Sequence, residues 1–420
     1  MNVILDASPL GIGFYHRQAR TGVSRVIEQL VSGMQQADDV NLILAASTHI
    51  AETMRYSKSV FSENMPAFAN GATEQSLAKM ENNLLDYFSP DSKPTKVIRE
   101  LTYRTRKALR QDVSSFNSGS LPEKAVYHAT FFPIPETIRQ SKALPMVQSM
   151  YDMIPVFHPE WFTSGEQTVK RVLETLPSDA WVTTISQATK DDFCAYTGFD
   201  ADRVAPILLA ASPELFYPVE DEDQKQAVRR KFGIEEKPYL LSIATLEPRK
   251  NIAHLIRTFR ELIEARALPA DVQLVLVGTK GWKFDEIMDE AGKSPELASR
   301  LIFTGFVQDE DLAPLYSDAL VFVYPSLYEG FGLPPLEAMQ CGLPVITSTI
   351  AAISEVVSEA AIQVSPTDTD ELSQAILTVV NSAELRTELA EKGVQQASLF
   401  GWDKFTQEHI QFYNKVINGN

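Results

Sequence analysis

Glu329-Gly-Phe-Gly-Leu-Pro-Pro-Leu-Glu337 sets two carboxylates on either side of a glycine-rich turn that opens a helix. The apolar run Leu320-Val321-Phe322-Val323 reads as a buried strand closed by Tyr324-Pro325-Ser326, so the residues that follow emerge at a strand end. Gly330 and Gly332 lack a Cβ and let backbone N–H groups close on a ligand, and Pro334-Pro335 suits the first turn of a helix. Unpaired N–H groups at a helix start favour an anion, while the carboxylates of Glu329 and Glu337 accept from hydroxyls. A ligand with an anionic and a polyhydroxyl part, such as a sugar nucleotide, suits that combination. A plainer reading has Glu337 complementing the helix dipole and Glu329 solvated in a loop.

A second stretch favours the ligand. In Leu240-Leu-Ser-Ile-Ala-Thr-Leu-Glu-Pro-Arg-Lys-Asn251 another strand ends, and Pro248 and Asn251 lead into an amphipathic helix carried by Ile252, Leu255, Ile256, Phe259, Leu262 and Ile263. Arg249 and Lys250 therefore sit at the carboxyl end of a strand, where open parallel sheets bind ligands, and adjacent cations there suit a diphosphate. The elements that position these groups are legible as alternation. Apolar runs at 3–5, 42–46, 125–128, 146–150, 181–185 and 204–209, then at 239–244, 274–277, 301–303, 320–323 and 345–347, are separated by helical patterns such as Val23, Val26, Ile27, Leu30, Val31 and Met34. Strand–helix alternation implies an α/β chain with parallel sheets covered on both faces.

Taken together, the two stretches resemble retaining glycosyltransferases of the GT-B class, sequence family four. The Glu247-Pro-Arg-Lys-Asn251 run is most similar to bacterial mannosyltransferases of polysaccharide assembly. Thr21-Gly22-Val23-Ser24-Arg25 after Leu5-Asp6-Ala7 resembles that family's amino-terminal glycine loop. Tyr151-Asp-Met-Ile-Pro-Val-Phe-His-Pro-Glu-Trp161 and Thr184-Ile-Ser186 resemble stretches of its first domain. The resemblance implies two Rossmann-like doubly wound domains facing a cleft. It also implies transfer of a hexose, mannose from GDP-mannose, onto a glycan or lipid-linked acceptor in cell-surface polysaccharide synthesis, without cofactor or metal.

The resemblance assigns roles as well. Glu337 would accept from the ribose hydroxyls and Glu329 from the donor sugar near its reacting carbon. Arg249, Lys250, Gly22 and the turn at Gly330, Phe331, Gly332 and Leu333 would face the departing diphosphate, with Phe306 and Val307 bordering the base. Many members carry an arginine where Thr245 stands, so Arg249 is expected to supply that charge. On the acceptor side the candidates are His128, in Val126-Tyr-His-Ala-Thr130, and Asp152 beside Tyr151; a second family histidine would align with Thr130, and His128 equally suits a structural strand end. With no evident nucleophile, retention implies front-face attack.

The 420 residues, 44% apolar, suffice for two cores. The expected division is a first domain over residues 1–212 with an irregular insertion at about 50–124, a nucleotide-sugar domain over 213–400, and a helix at 401–420 crossing back, with Phe405, Ile410, Phe412 and Tyr413 packing. Two prolines and an acid run make 211–223 read as the linker. A net charge of −17 argues against nucleic-acid binding. Cys194 and Cys341 are too few and too far apart for a disulfide framework, and no secretion signal or membrane-spanning run is evident, so a reduced, cytoplasmic protein is expected.

Within the insertion, Lys93, Lys96, Arg99, Arg104, Arg106, Lys107 and Arg110 form a basic cluster with Val97, Leu101 and Leu109 as an apolar side. It suits peripheral contact with an anionic membrane, or a solvated helix face. Asp309-Glu-Asp311 and Asp368-Thr-Asp370 look like metal motifs but precede apolar periodic segments, which points to helix capping. The competing functions are a transferase using a UDP- or dTDP-sugar such as dTDP-rhamnose, a nucleotide-sugar epimerase, a two-carboxylate glycosidase, a catalytically silent nucleotide- or glycan-binding subunit, and a dinucleotide oxidoreductase. The glycosidase leaves Arg249 and Lys250 without a task. The oxidoreductase lacks its Gly-x-Gly-x-x-Gly turn, Gly11-Ile-Gly13 being a fragment.

Overall fold

The computed structural model describes residues 1–15, 22–88, 92–108, 116, 122–141, 144–162 and 168–419. Thr21, Leu109, Arg110 and residues 117–121 lie outside the described residues, as do the side chains of Arg106 and Lys107.

Two parallel sheets form the scaffold. The first contains β1 (Asn2–Asp6), β2 (Asn41–Ala45), β3 (Ala67–Phe68), β4 (Ala125–Ala129), β5 (Met146–Met150), β6 (Trp181–Thr184) and β7 (Val204–Pro206), in the order β3-β2-β1-β4-β5-β6-β7. The second contains β8 (Tyr239–Ile243), β9 (Gln273–Val277), β10 (Leu301–Gly305), β11 (Val321–Tyr324), β12 (Val345–Ser348) and β13 (Ile362–Val364), in the order β10-β9-β8-β11-β12-β13. Central strands such as β4, β9 and β11 are buried along their whole length, which is why they read as continuous apolar runs. Each sheet reverses its order at one place, between β1 and β4 in the first and between β8 and β11 in the second. Crevices at the carboxyl ends of strands open at such reversals.

Chain segments bind the two halves together. Helix Trp402–Asn418 buries Phe405, Ile410, Phe412 and Tyr413. It packs on helix Gly22–Gln36, where a Cβ on Gly33 would lie 2.1 Å from Thr406 Oγ1, so only glycine allows that approach. Phe412 meets the ring of Trp181 on β6, and the Lys415 ammonium donates to the Asp202 carbonyl at 3.2 Å. The stretch at 211–223 is no loose tether. Phe216 is buried, its carbonyl accepts from Gln340 at 2.7 Å, and the Ser212 hydroxyl accepts from the Trp402 indole at 3.1 Å. Its acid run instead opens helix Glu222–Phe232, with Asp221 capping the N–H groups of Asp223 and Gln224.

The insertion is also more regular than its Ser, Asn and Gln content suggests. Helices Ile50–Phe61, Ala72–Leu85 and Lys93–Ala108 occupy most of its described part, the first burying Ile50, Ala51, Met54 and Tyr56. Of the two acid motifs, Asp368 caps its helix by accepting from the N–H groups of Asp370 and Glu371. Asp309 opens a helix too, but caps nothing: its carboxylate pairs with Arg25.

Candidate active site

β8 and β11 lie side by side and deliver the chemistry. After β8 the chain turns through Thr245, which is exposed, to a short turn over Pro248–Lys250, and Asn251 in the left-handed region starts helix Ile252–Glu264. The Asn251 side-chain amide donates to the carbonyls of Pro325 and Pro366, at 3.0 and 2.7 Å, tying this turn to the one after β11. Across that joint Glu329 meets both cations. Its Oε1 accepts from the Lys250 ammonium at 2.6 Å, the Ser326 hydroxyl at 2.6 Å and the Tyr324 phenol at 2.9 Å. Its Oε2 accepts from the Arg249 guanidinium at 2.7 Å.

Arg249 also donates to Glu247 Oε1 at 2.8 and 3.1 Å and to the Tyr328 carbonyl at 3.0 Å, and the Lys250 ammonium donates to the Tyr324 phenol at 2.6 Å. Burial alone would push the Glu329 carboxyl up, yet Arg249 and Lys250 hold it down at about 2. Burial lowers Lys250, with Glu329 opposing that shift. A carboxylate offers about four acceptor positions, two on each oxygen. Oε1 is filled, so the open acceptor position of Glu329 lies on Oε2, beside Arg249.

Glu337 lies apart from this triad, in the first turns of helix Leu333–Gln340. Burial pushes its carboxyl up to about 7 against the pull of Arg25 and Tyr316. The Tyr316 phenol donates to its Oε2 at 3.1 Å, and Arg25 Nη1 stands 3.7 Å from its Oε1. Gly22, at the start of helix Gly22–Gln36, faces the same helix start: a Cβ there would meet Leu333 at 3.9 Å. Phe306 follows β10 with 64% of its surface exposed. Val307 and Phe331, 5% and 3% exposed, are core residues, and Phe331 packs on Phe400. Any ligand contact at those two positions is left to the backbone.

The first domain closes on this loop directly. The Gly330 carbonyl accepts from the hydroxyls of Ser186 at 2.7 Å and Thr189 at 3.2 Å. A Cβ on Gly330 would stand 2.2 Å from the Tyr151 carbonyl oxygen and 3.0 Å from Asp152 Cβ. Gly330 is thus required for contact between the domains, a different reason from the ligand approach expected of it. The Tyr328 phenol donates to Asp192, and Glu355 accepts from the Gln187 N–H at 2.9 Å, each bond crossing from one domain to the other. Asp152, whose Oδ1 accepts from the Ile154 N–H at 3.0 Å, is brought to the cleft.

His128 is not. It is fully buried, with Nδ1 2.6 Å from the Tyr413 phenol and Nε2 2.8 Å from the Ser149 hydroxyl, and burial with neighbouring His409 holds it well below the usual imidazole range. Both nitrogens are engaged under the last helix, which makes it the structural strand residue of the two readings. Thr130 is buried as well and donates to the Asp6 carbonyl at 2.6 Å. Among the described residues, no group of three or more His, Cys, Asp or Glu stands together in a way that could hold a metal ion.

Tyr324, Ser326, Glu247, Tyr316, Arg25, Ser186 and Thr189 join the site without an individual role assigned to them from the sequence. Tyr324 and Ser326 carried a signal, being polar residues at the end of the strand that leads to Glu329. Glu247 stands two residues before its partner Arg249, and Arg25 and Ser186 fall in stretches that carry the family resemblance, but the contacts of Arg25, Tyr316, Ser186 and Thr189 join distant segments that no spacing announces.

The family model described as glycosyl transferases group 1 matches residues 224–396, the second domain with this site. The chain is 32% identical over 293 residues to O-antigen chain mannosyltransferase B of Escherichia coli, covering 69% of this chain and 74% of that one. It is 29% identical over 279 residues to the serotype-specific mannosyltransferase WbdA of Escherichia coli, where the match covers 64% of this chain but 33% of that longer protein. Among solved structures, sucrose-phosphate synthase from Thermosynechococcus elongatus superposes with a TM-score of 0.66 at 19% identity, each chain covered in full. Two parallel-sheet domains, a matching family model over the second of them, and a close match to most of a bacterial relative agree: the chain is a GT-B glycosyltransferase and belongs to the glycosyl transferases group 1 family.

Proposed function

We propose that the chain is a retaining hexosyltransferase that moves mannose from GDP-mannose onto a glycan or lipid-linked saccharide in cell-surface polysaccharide synthesis. The observation that carries the reading is the cluster of Glu329, Arg249 and Lys250 at the β8–β11 reversal, pressed against the first domain. The mannosyltransferase names of the relatives support the choice of sugar.

In this reading the ribose hydroxyls donate to Glu337 and Phe306 borders the base. The diphosphate lies against the N–H donors of Arg249 and Lys250 and the helix starts at Leu333 and Gly22, where fixed donors offset the charge that builds on the leaving group. A donor-sugar hydroxyl takes the open position on Glu329 Oε2, and the acceptor enters from the Tyr151–Asp152 side. The acceptor oxygen bonds the anomeric carbon on the face that the diphosphate leaves. The bond from that carbon to the β-phosphate oxygen breaks with its electron pair, and the acceptor proton passes to that phosphate oxygen. No protein nucleophile takes part, so configuration is kept. No cofactor or metal enters this account.

Helix Lys93–Ala108 exposes Val97 and Leu101, 57% and 61%, on a helix that carries Lys93, Lys96 and Arg104. That face suits the surface of an anionic membrane bearing a lipid-linked acceptor. Among the described residues no helix is long and apolar enough to cross a membrane. The test is product analysis: purified protein, GDP-mannose and a mannose-terminated acceptor should give an α-linked product. A β-linked product would remove the retaining assignment.

A further inference from the structure

Arg249 and Lys250 are matched charge for charge by Glu247 and Glu329. The ends of β8 and β11 therefore offer a diphosphate fixed donors but no net positive charge, although two phosphate charges brought into a half-buried cleft call for one. A further cation reaches the cleft from the other domain. Arg25 lies in the first turn of helix Gly22–Gln36, beside the point where Gly22 meets Leu333. Both of its ionic partners belong to the second domain: Nη2 pairs with Asp309, and Nη1 stands 3.7 Å from Glu337. At that distance the second contact is an ion pair without a hydrogen bond. The Arg25 side chain keeps 31% of its surface exposed, so it has room to turn.

We propose that Arg25 is a donor-binding residue: ribose hydroxyls replace it at Glu337, Asp309, itself 29% exposed, is left to water, and the released guanidinium bonds the diphosphate, supplying the positive charge that the Arg249–Lys250 pair has already spent. Guanidinium suits this role because its planar fork meets phosphate oxygens in pairs. The exchange leaves Glu337 satisfied throughout, by Arg25 and Tyr316 before the donor arrives and by ribose and Tyr316 afterwards. The proposal rests on the cleft being a nucleotide-sugar site.

Titration calorimetry on the full chain separates the two ideas, with GDP against guanosine and UDP against uridine. For the base that wild type prefers, Arg25→Ala should lower the ratio of diphosphate to nucleoside affinity by roughly 10- to 100-fold, the worth of one charge-assisted contact. Nucleoside affinity should hold, and Arg25→Lys should recover part of the ratio. Equal losses for diphosphate and nucleoside would show a residue that only holds the domains together and would overturn the proposal, as would an unchanged ratio. Arg25→Lys, which keeps the charge and the pairing to Asp309, serves as the reference if the alanine variant is poorly folded. Failure of wild type to bind either diphosphate would instead remove the donor-site reading on which the proposal stands.

Discussion

Gly330→Ala tests whether contact between the domains builds the working site. The added Cβ would fall 2.2 Å from the Tyr151 carbonyl oxygen, more than 1 Å inside the 3.4 Å at which ordinary contact begins, and 3.0 Å from Asp152 Cβ. Both neighbours are backbone or Cβ atoms of the other domain, so no flexible side-chain tip can give way. Gly330 is not among the residues with positive φ, so alanine suits the second domain's own backbone there. The strain must be relieved by parting the domains. That movement stretches the bonds from Ser186 and Thr189 to the Gly330 carbonyl, worth about 1 kcal/mol each, and carries Glu329 away from Asp152. A misplacement of about 1 Å costs on the order of a hundredfold in rate. Glycosyl transfer should fall by about that factor, while the thermal transition shifts little and small-angle scattering shows a wider particle. Gly401→Ala, where nothing lies within 4 Å of the new Cβ, is the control and should keep full turnover. Wild-type turnover and an unchanged scattering curve for Gly330→Ala would refute the reasoning.

Other perturbations probe separate parts of the site. Lys250→Ala and Glu329→Ala should each lower turnover by about two orders of magnitude or more in protein with an intact circular dichroism spectrum, and near-normal steady-state rates would remove their roles. Glu329 is held near 2 against an ordinary 4.5, so its stabilisation is present above pH 4.5 and lost as pH falls through 2. Glu329→Gln should therefore cost about 3 kcal/mol at pH 7 and little near pH 2, read from urea midpoints. Glu337 behaves in the opposite sense: raised to about 7, it stabilises fully below pH 4.5 and loses that contribution as pH rises through 7, so Glu337→Gln should flatten the decline in stability between pH 5 and 8. Replacing Lys93, Lys96 and Arg104 by glutamate should abolish cosedimentation with anionic vesicles, and unchanged cosedimentation would make that helix a solvated face.

Most of the scaffold was legible because parallel strands are buried on both faces and read as uninterrupted apolar runs. The strands β3 and β13 were not, since Ala67–Phe68 is two residues long and Gln363 interrupts Ile362–Val364. The insertion misled because Ser, Asn and Gln cover the outer faces of helices whose buried positions are few, as in Ala72–Leu85, where Ala78 and Leu85 carry the apolar contact. The acid run after Pro218 lies in the stretch between the two sheets, and the helix start that Asp221 and its neighbours also serve was not read from it. Residues at strand ends could be found from local pattern, which is how Glu329, Arg249 and Lys250 emerged. Their mutual ion pairing could not, because it depends on β8 and β11 being neighbours although some 80 residues separate them, by the order of the sheet. His128 shows the converse: its position at the end of β4 invited a catalytic role, whereas the final helix, 285 residues away, covers it.

Donor selectivity reaches the central claim most directly. Titration calorimetry of the purified chain with GDP-mannose, UDP-glucose, dTDP-rhamnose and NAD, followed by mannose transfer from GDP-mannose to a mannose-terminated lipid-linked saccharide, measures both binding and chemistry. The account predicts selective binding of GDP-mannose, a binding signal lost in Lys250→Ala, and an α-mannosylated product. Selective binding of a UDP- or dTDP-sugar would contradict the assigned donor, and saturating GDP-mannose binding without transfer to any saccharide would contradict the enzyme itself.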